Sequence, residues 1–81
     1  MTEVILFKNE EEQEVVLHPN LSFGRIGVII SDTLNHEVRI VRMDKQQAIR
    51  LASALLLATF EPEIFSEEKV EEGARMILGE S

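Results

Sequence analysis

The sequence predicts an α+β fold, in which a four-stranded antiparallel β-meander is followed by two α-helices packed on one sheet face. Three observations predict it. The first half carries four short runs rich in β-branched residues, separated by polar turns. The second half is rich in Ala, Leu and Glu and carries residues typical of helix ends. The chain has 81 residues, so we expect one small domain, a two-layer sandwich.

The four strands are predicted from runs bounded by turn residues. Their expected bounds are about 3–8, 14–18, 23–31 and 36–43. Pro19 and Asn20 should end the second strand, because proline cannot donate to a β ladder. The alternation of the third strand slips near Gly24, which predicts a bulge there. The connections are short, so consecutive strands should pair antiparallel.

The two helices are predicted from composition and from their end signals. Their expected bounds are about 45–60 and 67–78. Pro62 should end the first helix, since proline cannot continue it. Ser66 is placed to cap the second helix and Gly79 to end it. Within that helix Glu71 and Arg75 lie one turn apart, a spacing that allows an ion pair.

The first helix carries more apolar surface than one contact would use. Its Ala and Leu residues cover about half of the helical wheel, and we expect this half to face the sheet. Leu57 lies in the middle of the opposite half, while Ala54 and Ala58 widen the apolar arc. Two interpretations stay open: the second helix covers this extra surface, or the surface binds a partner or a second copy.

The alternation of the third and fourth strands predicts a second candidate surface. The side chains expected to face the helices are Val28, Ile30, Val38 and Ile40. The outward face would then carry Ile29, Val41, Arg25 and Arg39. A mixture of apolar and arginine side chains is typical of protein interfaces, although an ordinary outer face with two β-branched residues has the same composition.

The net charge of −7 argues against a general nucleic-acid binder and against an anionic membrane surface. It permits a protein partner with a basic site. The candidate acidic surface consists of Glu61, Glu63, Glu67, Glu68, Glu71 and Glu72. A solvated helix face would have the same composition. Nucleic-acid recognition through Arg25, Arg39 and Arg42 is the less favoured alternative.

The residues that could support catalysis or metal binding lack a recognisable pattern. There is no cysteine, which excludes disulfides and thiolate chemistry. His18 and His36 show no metal-ligand spacing. Ser31, Asp32 and His36 supply the residue types of a catalytic triad, but their order along the chain does not establish the geometry that a triad requires. Glu10–Glu12 lacks the calcium-loop pattern and is interpreted as a solvated hairpin tip. We therefore expect no enzyme, no metal and no cofactor.

These observations favour a non-catalytic, acidic protein-interaction module that acts as an inhibitor or regulator of a larger protein. A self-associating homodimer module is the alternative, and a small enzyme is less favoured. The compact, acidic, cysteine-free build resembles small accessory proteins of phages and mobile elements. No export signal and no membrane span is recognisable, so a cytoplasmic location is expected.

Overall fold

The computed structural model describes residues 3–22 and 25–79. The elements follow the chain as β1 (Val4–Lys8), β2 (Gln13–Ser22), β3 (Arg25–Asp32), β4 (Glu37–Met43), α1 (Lys45–Phe60), a short 3₁₀ turn (Pro62–Ile64) and α2 (Glu67–Leu78). This confirms an α+β fold with four antiparallel strands followed by two helices. The chain divides after Asp44 into two compact units, one holding the strands and one the helices. The packing of the helices on a sheet face, and a single domain, stay predictions.

The strand unit is one open sheet with the order β1-β2-β3-β4 and antiparallel pairing throughout. Val16 and Met43 are its buried apolar side chains among the described residues. A register shift between Ile5 and Phe7 leaves Leu6 as an extra residue in β1. This bulge was not predicted, because apolar residues occupy every position of β1 from Val4 to Phe7 and no alternation shows a slip.

The second strand is longer than predicted. It continues past Pro19 to Ser22, so the prediction that Pro19 and Asn20 end it is wrong. The β2–β3 register shifts between His18 and Ser22. A proline is tolerated there, because the regular ladder does not require a donor at an irregular position. The bulge predicted near Gly24 lies outside the described residues.

The helix unit is a pair of helices joined by the 3₁₀ turn. The bounds of α1 and α2 agree with the sequence prediction. The Ser66 side chain accepts a hydrogen bond from the backbone N–H of Lys69 over 3.2 Å, which confirms Ser66 as the cap. Gly79 ends α2 at φ 79°, a left-handed conformation that glycine adopts without a Cβ penalty. Val70 and Ala74 are the buried apolar residues of this unit in the described chain.

Candidate interaction site

The two helices meet closely at a pair of small residues. Ser53, on α1, is only 5% exposed, and its hydroxyl donates a hydrogen bond to the backbone carbonyl oxygen of Val70 over 2.9 Å. Gly73, on α2, lies against the same hydroxyl, and a Cβ added at Gly73 would collide with Ser53 Oγ. The missing side chain therefore allows the approach of the helices. Ser53 and Gly73 were not singled out from the sequence, although a glycine inside a helix often has a packing reason.

Arg50 joins the helices one turn before Ser53. Its Nη2 lies 3.3 Å from Glu67 Oε1, and its Nη1 contacts Glu71 Oε1. Glu71 therefore pairs across the helices with Arg50, not with Arg75 one turn away as its spacing suggested. Because these contacts and the Ser53 hydrogen bond share one face of α1, α2 packs against the more polar half of that helix.

An apolar groove lies between the helices beside Ser53. We call it the helix groove; it has a volume of about 310 Å³ and is lined by Ser53, Leu56, Leu57, Phe60, Glu61, Lys69, Gly73, Met76 and Ile77. Phe60 is 75% exposed and Met76 is 78% exposed. Because Gly73 adds no side chain to the lining, the space between these two exposed side chains stays open.

The charged groups near the helix groove leave a small negative excess. Lys69 Nζ pairs with Glu72 Oε2 over 3.3 Å. Glu61 lines the groove and, across residues 3–22 and 25–79, takes part in no ion pair. A ligand bound in the groove would therefore meet one uncompensated carboxylate.

The predicted acidic surface is partly neutralised. Glu67 and Glu71 contact Arg50, and Glu72 contacts Lys69. Within the described chain, the members without an ion pair are Glu61, Glu63 and Glu68. Arg50 and Lys69 of the helix unit therefore pair with half of the six candidate carboxylates. Fewer carboxylates are available to a basic partner than the sequence predicted.

The three candidate interface residues of α1, Leu57, Ala54 and Ala58, differ in exposure and do not form one exposed surface. Leu57 is half-buried and lines the helix groove, so it faces α2. Ala54 is half-buried, whereas Ala58 is exposed. The exposed leucines of α1 are instead Leu51, Leu55 and Leu56, on the side that the sequence assigned to the sheet.

The candidate residues of the sheet do not share one face. Cross-strand partners point to the same side of a sheet, and the register pairs Ile29 with Ile40 and Val28 with Val41. The prediction that Ile29 and Val41 share an outer face is therefore wrong. Alternation along the strands places Arg25 on the side of Ile29 and Arg39 on the side of Val41.

The same register separates the three arginines proposed for nucleic-acid contact. Arg42 pairs with Gly27 and lies on the Ile29 side, as Arg25 does, whereas Arg39 lies on the opposite side. The sheet therefore does not gather Arg25, Arg39 and Arg42 into one basic stripe.

Asp32 stabilises the turn between β3 and β4. Ser31, Asp32 and His36 line one cavity of about 460 Å³. The Asp32 carboxylate accepts hydrogen bonds from the side chain of Asn35, over 2.8 Å, and from its backbone N–H, over 3.2 Å. These bonds lower the pKa of Asp32 below its ordinary value of 3.8. Its contacts are thus those of a turn, and His36 adopts φ 54° in the same turn.

The acidic tip between β1 and β2 is organised by Asn9 and Lys8. The Asn9 Oδ1 accepts hydrogen bonds from the backbone N–H groups of Glu11 and Gln13, each with a donor–acceptor distance of 3.0 Å. Lys8 Nζ pairs with Glu12 Oε2 over 2.6 Å, and this hydrogen bond raises the pKa of Lys8 above 10.5. In the described part of the chain, no three His, Asp or Glu side chains are gathered as metal ligands.

His18 lies in β2 beside an acidic residue. Its Nε2 is 4.0 Å from Glu3 Oε1, and its Nδ1 is buried without a hydrogen-bond partner in the described residues. The imidazole is about one-fifth exposed. These contacts place His18 at the sheet, on the face that also carries Val16.

None of the described helices has the length and apolar character required to cross a lipid bilayer; the longest, α1, has 16 residues. Comparison with known proteins gives no family model, no curated protein and no solved structure that matches the chain.

Proposed function

We propose that the protein is a non-catalytic protein-interaction module whose binding site is the helix groove. The observation that carries the proposal is the exposure of Phe60 and Met76 on either side of an open apolar space. Large apolar side chains at such a position are costly in water and typical of binding surfaces. Methionine also adapts its shape to a ligand, because its side chain is unbranched and polarisable.

The partner that fits this groove presents an apolar anchor with a basic residue beside it. The groove volume of about 310 Å³ is small for a binding pocket and suits a few side chains of a partner segment. Its lining is mainly apolar, which favours an aromatic or aliphatic anchor. Glu61 offers an uncompensated carboxylate at the groove, so a Lys or Arg next to the anchor would gain an ion pair.

An inhibitory or regulatory role follows from this mode of binding. A small protein that occupies a segment of a larger one competes with other ligands of that segment, and needs no chemistry of its own. The net charge of −7 supports fast association with a basic partner, with a rate that falls as salt increases. The expected location of this interaction is the cytoplasm, as the sequence predicts.

A selection with displayed peptides tests the proposal. The full chain is used as bait, and enriched peptides are synthesised and titrated. We expect them to share an apolar anchor with an adjacent Lys or Arg, and to lose at least about tenfold in affinity for Met76→Glu. Leu55→Glu is the matched control, because Leu55 is also exposed but lies outside the groove. Enrichment of no sequence, or equal binding to Met76→Glu, would refute the proposal.

A further inference from the structure

Methionine supplies all of the sulfur in this chain. There is no cysteine, so an oxidant meets no thiol that would react in place of a thioether. Two of the three methionines lie in the described residues, and Met1 lies outside them. Met43, at the end of β4, is only 9% exposed, whereas Met76, on α2, is 78% exposed. The two described thioethers therefore differ greatly in their access to a dissolved oxidant.

Met76 also borders the helix groove. It lies one turn after Gly73 on the same side of α2, and the exposed Phe60 of α1 lines the groove with it. Because Gly73 has no side chain, the flexible thioether of Met76 lies next to the open space. A change of polarity at its sulfur would alter the surface that a partner contacts.

We infer that Met76 is a modification site, at which oxidation of the thioether to a sulfoxide reversibly prevents binding in the helix groove. The inference rests on the function proposed above for the groove. The oxidant is hydrogen peroxide. The sulfur attacks one peroxide oxygen, the S–O bond forms as the O–O bond breaks, and the departing hydroxide takes the proton of the transferred oxygen and leaves as water. Sulfur is oxidised by two electrons, peroxide is reduced by two, and methionine sulfoxide reductases reverse the change.

The polar side chains that line the groove are either engaged or are themselves acceptors. Ser53 donates its hydroxyl to the backbone oxygen of Val70 over 2.9 Å, and Lys69 Nζ is paired with Glu72 over 3.3 Å. Glu61, when ionised, only accepts hydrogen bonds. A sulfoxide oxygen is an acceptor, and burying it without a donor is unfavourable. An apolar anchor bound against the oxidised side chain would therefore leave this oxygen without a partner.

Peptide mass mapping of the full chain after exposure to hydrogen peroxide tests the site. We expect Met76 to gain one oxygen atom at least about tenfold faster than Met43, because attack depends on access to the sulfur. In denaturant the two rates should become similar, since unfolding exposes both side chains. Equal rates in the folded chain, or faster oxidation of Met43, would overturn the inference.

Titration of a methionine-free peptide from the displayed-peptide selection tests the effect on binding. The peptide is added after the peroxide has been removed. Oxidation should weaken binding at least about tenfold, and methionine sulfoxide reductases should restore it. Met76→Leu, whatever its own affinity, should bind equally before and after oxidation, whereas Met43→Leu should keep the loss seen in the wild type. Met76→Gln, which places a polar group at the same position without oxidation, should reproduce that loss.

The outcomes separate this inference from the proposed function. Unchanged affinity of the oxidised chain, or a loss that persists in Met76→Leu, would overturn the inference while the proposed function stands. A loss of the helical circular dichroism signal on oxidation would overturn it as well, because the weaker binding would then result from unfolding. A selection that enriches no peptide would refute the proposed function, and this inference with it, even if Met76 is the faster site of oxidation.

Discussion

The hydroxyl of Ser53 donates a hydrogen bond over 2.9 Å to the backbone carbonyl oxygen of Val70 on the neighbouring helix. A carbonyl oxygen has two lone pairs, so Val70 can accept this bond and keep its place in the helical ladder of α2. The bond holds the serine hydroxyl at the one point where Gly73 leaves room for it. The close contact of α1 and α2 therefore depends on two small residues, Ser53 and Gly73, whose shapes are complementary.

Gly73→Ala should destabilise the helix unit. Alanine favours a helix over glycine by about 1 kcal/mol. At this position its Cβ would force the Ser53 hydroxyl away from Val70, so we expect a net loss of about 1–2 kcal/mol in the free energy of unfolding. Chemical denaturation followed by circular dichroism measures it.

Ser53→Ala should relieve the effect of Gly73→Ala. Without Oγ, the nearest atom to the new methyl group is the Cβ of residue 53 at 3.5 Å, an ordinary contact. The double variant should therefore be more stable than Gly73→Ala alone, with a coupling of at least about 1 kcal/mol. Gly79→Ala is the control, because its cost arises from φ 79° and should not respond to Ser53→Ala. Additive effects of the Ser53 and Gly73 changes would contradict the contact.

Leu57→Glu should destabilise the helix pair, whereas Leu55→Glu should not. Leu57 is half-buried between α1 and α2, so a carboxylate there would lose hydration, and we expect a cost of about 1.5–3 kcal/mol. Leu55 is 60% exposed, and its replacement should change stability by less than about 0.5 kcal/mol. Thermal unfolding of both variants at micromolar concentration makes the comparison. Equal melting temperatures would mean that Leu57 does not contribute to the contact.

Arg50→Gln should weaken the helix pair in a salt-dependent way. Arg50 contacts both Glu67 and Glu71, but the pairs are partly exposed, so the expected loss is only about 0.5–1 kcal/mol. Salt should reduce the difference between wild type and variant. Arg75→Gln removes the same positive charge from a side chain that has no ion pair in the described chain, and serves as the control. Identical losses for the two variants would point to net charge as the cause.

Asp32 should titrate below its ordinary pKa of 3.8 and return towards it in Asn35→Ala. Its hydrogen bonds with Asn35 favour the ionised form in the folded chain. The contribution of Asp32 to stability is therefore complete above pH 3.8, and is lost as the pH falls through the folded pKa. Carboxyl carbon NMR across this range measures the pKa in both proteins. An unchanged pKa in Asn35→Ala would remove Asn35 as the cause.

The sequence by itself determined the order of the elements, the helix bounds and the ends of α2. These features depend on local chemistry. Ser66 reaches a backbone N–H three residues ahead, and Gly79 adopts a left-handed conformation at its own position. Both effects act within one turn of the helix, so the sequence of that turn is sufficient to predict them.

Only the tertiary structure decided which residues share a surface. The four-residue connection between Asp32 and Glu37 pairs odd positions of β3 with even positions of β4, and a change of one residue in its length would exchange the faces. Likewise, α2 packs on the Ser53 side of α1 because Gly73 leaves space there, and not because that side is the most apolar. Both outcomes depend on contacts between residues of different segments. The hydrophobic periodicity of a single segment does not predict such contacts.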